Sequence, residues 1–214
     1  DRLVQRTARR PLATGALNVF EAWVFFFVLS LLSLYLLTFT NTLTIKISIF
    51  FATLIVLYPL SKRFILAPQF VLGITFGSGS LIAYSLQSND FTISLMILYT
   101  GIVAWIISFD TYYALEDKED DLKININSTA IMWGENAIKY ARTLHLFFYA
   151  SLILIAILNK FSYAFLLVII LLLFIFIYQK KLINESKFLD AFKINNFVGI
   201  IAVLGFVLEI ILLK

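Results

Sequence analysis

The sequence is organised as long apolar runs separated by polar connections. Seven of these runs approach the roughly 20 residues that a helix needs to cross the hydrocarbon core of a bilayer. They are continuous, whereas the strands of a membrane barrel would alternate apolar and polar residues over about ten positions. The pattern therefore predicts seven membrane-spanning helices, over residues 20–39, 43–60, 66–87, 91–109, 138–158, 161–179 and 195–213.

The third predicted span has the weakest hydropathy, because small residues dilute it. Gly73, Gly77, Gly79 and Ser80 all fall within this span. Small residues at such spacing either let two helices approach closely or leave room for a ligand. The sequence leaves both possibilities open.

Composition agrees with lipid as part of the solvent. Of the 214 residues, 61% are hydrophobic and 14% are charged, against about 45–50% and about 25% in soluble domains. The absence of cysteine excludes disulfides and thiolate chemistry, and a single histidine, His145, leaves little room for histidine chemistry, so we take it as structural. We expect an all-α transmembrane helix bundle with residues 1–214 in one domain. Because the chain opens on Asp1 without methionine or a signal pattern, we expect it to be truncated at its N-terminus.

Charge is distributed unevenly between the two ends of the predicted helices. If the long connections share one side, fourteen of the seventeen basic residues and eleven of the thirteen acidic residues lie on that side. An excess of Lys and Arg marks the cytoplasmic side of a membrane protein, so we predict that the long connections face the cytoplasm. Acidic residues contribute little to orientation, and their clustering calls for a functional explanation.

The acids concentrate after the fourth span, where six of the twelve residues in 110–121 (DTYYALEDKEDD) are acidic. If that helix continues, Asp110, Ala114, Asp117 and Asp121 follow one another on one face. Like charges on one face destabilise a helix unless a cation neutralises them, and oxygen ligands without His or Cys favour Mg²⁺ or Ca²⁺. The alternative is a solvated loop in which the neighbouring lysines form ordinary surface pairs. The spacing on one face favours the metal.

Basic residues precede the first span and follow the second. Lys62 and Arg63 come just after Pro59, which should end or kink the second span, and residues 2–11 contain four arginines, including Arg10. Both groups have an ordinary explanation as positive-inside anchors or contacts to anionic headgroups. Basic and carboxylate clusters on one membrane face are also what a magnesium-bound diphosphate needs, since carboxylates hold the metal and arginine binds phosphate oxygens.

Four short segments of the sequence resemble, in the same order along the chain, the motifs of the UbiA family of membrane aromatic prenyltransferases. Within that family they are most similar to the 4-hydroxybenzoate polyprenyltransferases of ubiquinone synthesis. Residues 1–12 (DRLVQRTARRPL) resemble the end of the first Asp-rich motif, NDxxDxxxD, and the RTxxRPL signature after it. Residues 58–63 (YPLSKR) are similar to YPxxKR. Residues 110–134 resemble the second motif, DTxYAxxDxxDD, followed by KIGxxSTAxxxG, with Asn125 where relatives often have a glycine. A turn can still form there, because Asn tolerates left-handed geometry. Residues 191–199 (AFKINNFVG) look like the final loop of the subgroup.

The resemblance implies nine transmembrane helices around a central cavity, of which seven are visible here and two would lie upstream. It implies that two Mg²⁺ ions, held by the two Asp-rich motifs, bind the diphosphate of a long polyprenyl chain. The rest of the first motif would precede residue 1. On that pattern the expected metal ligands are Asp1, Asp117 and Asp121, the expected catalytic residues are Arg63 and Asp110, and the expected diphosphate-binding residues are Lys62, Arg63 and Arg10.

The reaction implied is transfer of the polyprenyl group to the ring carbon ortho to the hydroxyl of 4-hydroxybenzoate, which gives 3-polyprenyl-4-hydroxybenzoate. Aromatic rings stabilise a cation, and Tyr112 and Tyr113 beside the acids are the rings to test for that role. The alternative is an ordinary position at the membrane interface, where tyrosine is common. The expected partners are polyprenyl diphosphate, 4-hydroxybenzoate and membrane lipid, with no nucleic acid. The expected location is the bacterial inner membrane, with the site facing the cytoplasm.

Two alternatives remain open. One is a member of the same superfamily with another acceptor, such as a naphthoate, homogentisate or haem. The other is a transporter, which predicts polar residues along the interiors of the helices. Glu209 is almost the only such residue, and we interpret it as protonated or snorkelling near the far interface.

Overall fold

A computed structural model of the protein describes residues 8–212, except for the side chains of residues 62 and 63. Within that range the chain is helical and contains no β-strand. A 3₁₀ turn, Gly134–Asn136, separates the seventh and eighth α-helices. The α-helices are α1 Pro11–Thr14, α2 Val19–Leu37, α3 Thr42–Phe64, α4 Pro68–Ser85, α5 Ile93–Glu116, α6 Lys118–Lys123, α7 Thr129–Met132, α8 Ala137–Leu158, α9 Ala164–Asn184, α10 Phe188–Lys193 and α11 Asn195–Leu212.

Seven long helices, namely α2 to α5, α8, α9 and α11, coincide with the seven predicted spans. Side-chain caps explain where several of them begin, since Asn18, Asn41 and Thr92 each accept a hydrogen bond from the backbone N–H three residues later. The backbone N–H of Asn18 in turn donates to the carboxylate of Glu21, which completes a capping box at the start of α2. The helix α3 continues past Pro59 to Phe64, so residues 62 and 63 lie in its last turn.

Six helical segments in the described chain are long and apolar enough to cross a membrane, and α4 is not among them. Polar and small residues lower the hydropathy of α4, as the sequence indicates. Nevertheless α4 joins the end of α3 to the start of α5, and both of those helices cross in the same direction. The helix α4 must therefore carry the chain back across the same thickness.

Glycines bring α4 and α5 into close contact. A Cβ atom placed on Gly73 would lie 2.9 Å from the backbone oxygen of Val103, and one on Gly77 would lie 3.1 Å from a side-chain carbon of the same residue. A Cβ on Gly79 would meet nothing within 4 Å. The small residues of α4 thus serve close helix contact at Gly73 and Gly77.

The densest part of the core lies between α5, α8, α9 and α11. The rings of Trp105 and Phe148 stack with their centroids 5.0 Å apart, and Leu152, Leu172 and Val198 are fully buried beside them. The helix α2 differs, because it contributes no buried residue. It faces α3 across an apolar groove of about 410 Å³, whose lining includes Leu12, Trp23 and Pro59.

Hydrogen bonds between neighbouring helices define two ends of the bundle. At one end, which we call the far end, the hydroxyl oxygens of Thr44 on α3 and Ser85 on α4 lie 2.8 Å apart. Asn159, just after α8, donates to the hydroxyl of Ser94 on α5 at 3.0 Å at the same end. In each case the start of one helix lies beside the end of its neighbour. The helices α3 and α4 therefore run antiparallel, and so do α5 and α8. The opposite end, which we call the acidic end, holds the connections 65–67, 117–136 and 185–194.

Glu209 belongs to the far end, and the expectation that it snorkels is wrong. Its side chain is only 1% exposed. One carboxylate oxygen accepts from the backbone N–H of Ser162 and the other from the Ser162 hydroxyl, both at 2.7 Å. Since Ser162 lies immediately before α9, Glu209 fastens the end of α11 to the start of α9, where the helix dipole favours a negative charge.

Candidate active site at the acidic end

The acidic segment is helical but not one straight helix. The helix α5 ends at Glu116, Asp117 has φ −90° and ψ 1°, and α6 begins at Lys118. The backbone N–H of Asp121 still donates to the carbonyl of Asp117 at 2.9 Å. The prediction of an unbroken helical face from Asp110 to Asp121 is therefore wrong at Asp117. Asp117 and Asp121 nevertheless remain on successive turns.

The chain then reverses direction at Asn125, which has φ +54°. This confirms the expectation that Asn125 can form the turn in left-handed geometry. The backbone N–H of Ile126 donates to the carbonyl of Asp121 at 3.0 Å, which closes the turn. The Ser128 hydroxyl caps α7 by accepting from the N–H of Ile131 at 3.3 Å.

A buried hydrogen-bonded tie holds the returning segment against α4 and α5. The backbone N–H of Thr129 donates to the side-chain oxygen of Gln69 at 2.9 Å. The hydroxyls of Thr129 and Thr111 lie 2.8 Å apart, and Thr111 donates to the carbonyl of Ile107, so Thr129 is the donor between the two. Sequence reasoning missed Gln69, Thr111 and Thr129. The feature of the sequence that could have revealed them is that each is a polar residue next to a residue of a motif or a helix start. Gln69 follows Pro68, Thr111 follows Asp110 and Thr129 follows Ser128.

The helix α3 brings its last turn to the same end. Tyr58 lies close enough to Asp110 and Tyr113 to interact electrostatically with both. Residues 62 and 63 follow Tyr58 by about one turn of α3, so their backbone lies at the acidic end. The predicted roles of the Lys62 and Arg63 side chains, and of Asp1, fall outside the described residues.

Arg10 also lies toward this end of the bundle. It is exposed and occupies the N-cap position of α1. Leu12, two residues later, lines the groove beside Pro59 of α3. The structure therefore places the Arg10 backbone near the last turns of α3.

The two tyrosines of the acidic segment point in different directions. Tyr112 is fully buried in a cluster with Ala141 and Leu182, so it offers no face to a substrate. Tyr113 is half-buried, and its ring centroid lies 4.9 Å from that of Phe192 on α10. Burial therefore argues against a cation-facing role for Tyr112, whereas for Tyr113 that role stays a prediction.

Ion pairs engage some of the charges at this end. Lys123 lies 3.0 Å from Asp120, as the solvated-loop alternative expects for a neighbouring lysine. Lys187 lies 2.6 Å from Glu185, and this hydrogen bond holds the pKa of the Glu185 carboxyl below its usual range and raises the pKa of Lys187. These pairs lie on exposed surfaces, where they contribute little to stability.

The donor chemistry of Asp117 and Asp121 fits Mg²⁺. In the part of the chain that the structure describes, no group of three or more His, Cys, Asp or Glu side chains is arranged to hold a metal. Mg²⁺ commonly takes one or two carboxylates and completes its coordination with substrate phosphates and water. Two carboxylates on successive turns, both partly exposed, suit that mode of binding.

The sequence is similar to known membrane prenyltransferases over nearly its whole length. Residues 1–203 match the model of the UbiA prenyltransferase family. The chain is 35% identical over 212 residues to a 4-hydroxybenzoate octaprenyltransferase of Saccharophagus degradans, covering 98% of this chain and 71% of the relative. It is 36% identical over 208 residues to the protein of the same name from Citrobacter koseri, covering 96% and 72%.

A solved structure shares the fold. The apo structure of a UbiA homolog from Aeropyrum pernix K1 superposes with a TM-score of 0.84 and 22% sequence identity. The match covers 98% of this chain and 79% of that one. The all-α transmembrane bundle predicted from the apolar runs is thereby confirmed.

Proposed function

Because this chain belongs to the UbiA prenyltransferase family, we propose that it transfers a polyprenyl group from polyprenyl diphosphate to 4-hydroxybenzoate. The group joins the ring carbon ortho to the hydroxyl, which gives 3-polyprenyl-4-hydroxybenzoate in ubiquinone biosynthesis. The acceptor is supported by relatives named 4-hydroxybenzoate octaprenyltransferase at 33–36% identity. The observation that carries the proposal is the meeting of the acidic segment with the last turns of α3 at one end of the bundle. Residues 1–214 are proposed to form one transmembrane prenyltransferase domain.

The site is proposed to face the cytoplasm at the bacterial inner membrane. Support comes from the excess of Lys and Arg on the side of the long connections, fourteen of seventeen in the sequence. Such a placement suits the substrates, because the prenyl donor is lipid-soluble and the hydroxybenzoate is water-soluble. The two meet where the helices end.

Asp117 and Asp121, together with Asp1 of the first motif, are proposed to hold Mg²⁺ at this site. When bound, Mg²⁺ supplies a Lewis acid that stabilises the negative charge growing on the diphosphate. Asp110 is one turn of α5 from Ala114 and two from Asp117, and it lies close enough to Tyr58 to interact with it electrostatically. We assign to Asp110 an additional ligand role or the orientation of the second motif.

Lys62, Arg63 and Arg10 are proposed to bind the diphosphate. Guanidinium groups bind phosphate oxygens through paired hydrogen bonds, and they favour the transition state because negative charge grows there. As the carbon–oxygen bond breaks, the diphosphate leaves with the electron pair and an allylic cation remains. The ring carbon of the hydroxybenzoate forms the new carbon–carbon bond and releases its proton.

Tyr113 is proposed to stabilise the allylic cation. The face of an aromatic ring attracts a cation within about 6 Å of its centroid, and the attraction is stronger where water is excluded. Support comes from its position, because Tyr113 is half-buried at the acidic end and its ring centroid lies 4.9 Å from that of Phe192 of α10.

The proposal is tested with membranes that contain the full-length protein, incubated with polyprenyl diphosphate, Mg²⁺ and 4-hydroxybenzoate. We expect prenylated hydroxybenzoate, and a rate lower by roughly 100-fold or more in Arg63→Ala, because a residue that stabilises transition-state charge contributes on that scale. Arg9→Ala, which changes a nearby exposed arginine, is the matched control and should retain the rate. An unchanged rate in Arg63→Ala would overturn the assignment of the diphosphate site.

Parallel incubations replace 4-hydroxybenzoate with a naphthoate, homogentisate or haem. Product from one of these acceptors and none from 4-hydroxybenzoate would overturn the proposed acceptor. No prenylated product with any acceptor would overturn the transferase proposal itself.

A further inference from the structure

Four polar side chains on α5, α8 and α9 are fully buried behind the acidic end, each with one polar atom that has no hydrogen-bond partner. The side chains are Ser108, Tyr112, His145 and Gln179, all 0% exposed, and the atoms are Ser108 Oγ, Tyr112 OH, His145 Nδ1 and Gln179 Oε1. Arg142 Nε is buried and without a partner in the same way. A buried polar atom without a partner is unusual and calls for an explanation.

These residues lie on helix faces that converge. Ser108 and Tyr112 are one turn apart on α5, and their hydroxyls face each other without meeting hydrogen-bond geometry. Tyr112 is close enough to Arg142 and Tyr149 of α8 to interact electrostatically with both. The facing sides of α5 and α8 therefore share one polar region.

The third helix joins the same region. The ring of His145 lies 5.4 Å from that of Phe176 on α9, and Gln179 follows Phe176 by about one turn. Gln179 donates through Nε2 to the carbonyl of Ala191 at 2.9 Å, and Ala191 packs in one cluster with Tyr112. We call this region between α5, α8 and α9 the polar seam.

The hydrogen bonds of Tyr149 fix the state of His145. The single hydroxyl proton of Tyr149 goes to the carbonyl of Leu172 at 3.0 Å. Its oxygen must then accept from His145 Nε2, which lies 3.1 Å away. In a neutral imidazole with the proton on Nε2, the other nitrogen, Nδ1, is an acceptor that still lacks a donor.

The unpaired atoms of the seam are therefore of two kinds. His145 Nδ1 and Gln179 Oε1 accept, whereas Tyr112 and Ser108 each carry a hydroxyl proton and Arg142 Nε carries an N–H. A cation would not suit the arginine, and an anion would not suit the two acceptors. A molecule that donates two hydrogen bonds and accepts two satisfies both kinds at once, and water is that molecule.

We propose that an ordered water is bound in the polar seam, where it donates to His145 Nδ1 and Gln179 Oε1 and accepts from Tyr112 and Arg142. Buried waters typically make about three hydrogen bonds to groups that would otherwise be unpaired. Tyr112 makes no direct side-chain hydrogen bond to His145 or Gln179. The water therefore links the three helices α5, α8 and α9 by bridging these side chains. Tyr112 lies on the face of α5 away from Asp110 and Tyr113, so the water holds α5 from behind the acidic end.

A double-mutant cycle tests the shared water in the full-length protein. Tyr112→Phe removes a donor and Gln179→Met removes an acceptor with little change in shape, and thermal unfolding is measured in lipid nanodiscs. If one water serves both side chains, each single change lowers Tm, and the double change lowers it by less than the sum. Tyr99→Phe with Gln179→Met is the control pair and should be additive, because Tyr99 bonds to Ile74 on the other side of α5. Additive effects in the first pair would overturn the proposal.

Radiolytic hydroxyl-radical labelling in H₂¹⁸O gives a second readout that needs no variant. Radicals form from bound water itself, so Tyr112 and His145 should be labelled although neither is exposed. Phe165 is an aromatic control that is almost fully buried, with 2% exposure, and should stay unlabelled. Labelling of Tyr112 no greater than that of Phe165 would overturn the proposal.

Discussion

Both ends of the bundle place carboxylates at helix ends, but the two ends use them differently. At the far end, Glu209 is 1% exposed, and both of its oxygens accept hydrogen bonds from Ser162. At the acidic end, Asp117 and Asp121 lie on successive turns and are partly exposed. At the far end, the buried carboxylate has all its hydrogen bonds to protein donors, and it therefore joins two helices. Partly exposed carboxylates on successive turns remain accessible to a cation that arrives with the substrate.

The largest expected effect is at the acidic end. Asp117→Asn removes a negative charge from the proposed Mg²⁺ site and should lower the prenyl-transfer rate by roughly 100-fold or more. Tm should change little, because Asp117 lies at a partly exposed bend. The rate is measured in membranes at saturating Mg²⁺. Glu119→Gln neutralises an exposed acid two residues away and should retain activity. Equal activity in the two variants would contradict the assignment of Asp117.

At the far end the expected effect is on stability. Glu209→Ala leaves the N–H and the hydroxyl of Ser162 without their acceptor, and it should lower the free energy of unfolding by about 2–4 kcal/mol. The transfer rate per folded molecule should stay the same, since Glu209 lies at the opposite end from the acidic segment. Unfolding is followed in detergent, and activity is normalised to folded protein. Glu209→Gln keeps one acceptor and should lose less stability. Loss of activity in folded Glu209→Ala would show that the two ends are coupled.

The sequence predicts features that depend on local pattern and misses those that depend on packing. Seven apolar runs predict seven helices, because a bilayer requires continuous apolar length. The left-handed turn at Asn125 was within reach of sequence reasoning, because few residue types tolerate that geometry. The bend at Asp117 was missed, because the acid spacing continues through it. The tie from Gln69 to Thr129 spans sixty positions, so no local pattern reveals it.

Because sequence does not show packing, it also cannot distinguish the role of Glu209 from that of the acidic segment. Both are acids near the end of an apolar run, and hydropathy treats them alike. Only the position of Ser162, 47 positions earlier in the chain, shows that Glu209 already has donors. Likewise Tyr112 and Tyr113 are neighbours in sequence, yet one is fully buried and the other half-buried, because successive helical positions point about 100° apart.

The tie at the acidic end should affect both stability and activity. Gln69→Met leaves the buried N–H of Thr129 unpaired and should cost about 1–3 kcal/mol of unfolding free energy. Because the returning segment is also hydrogen-bonded to the Asp121 carbonyl through Ile126, the transfer rate should fall too, by about tenfold, as for groups that orient metal ligands. Both quantities are measured on one preparation. Gln87→Met changes an exposed glutamine at the far end and should alter neither. A Gln69→Met protein with full activity would limit the tie to a structural role.

The smallest expected effect compares two left-handed residues, one at each end. Lys160 at the far end has φ +53°, and Asn125 at the acidic end has φ +54°. A lysine in this geometry is strained by the contact between its Cβ and the following carbonyl, whereas asparagine tolerates it. Lys160→Gly should therefore raise the free energy of unfolding by about 0.5–1 kcal/mol, and Asn125→Gly should raise it by less. Unfolding of the two variants is compared under identical conditions. A larger gain at Asn125 would contradict this ranking and would mean that the surroundings hold the turn after the acidic segment under greater strain than the turn at Lys160.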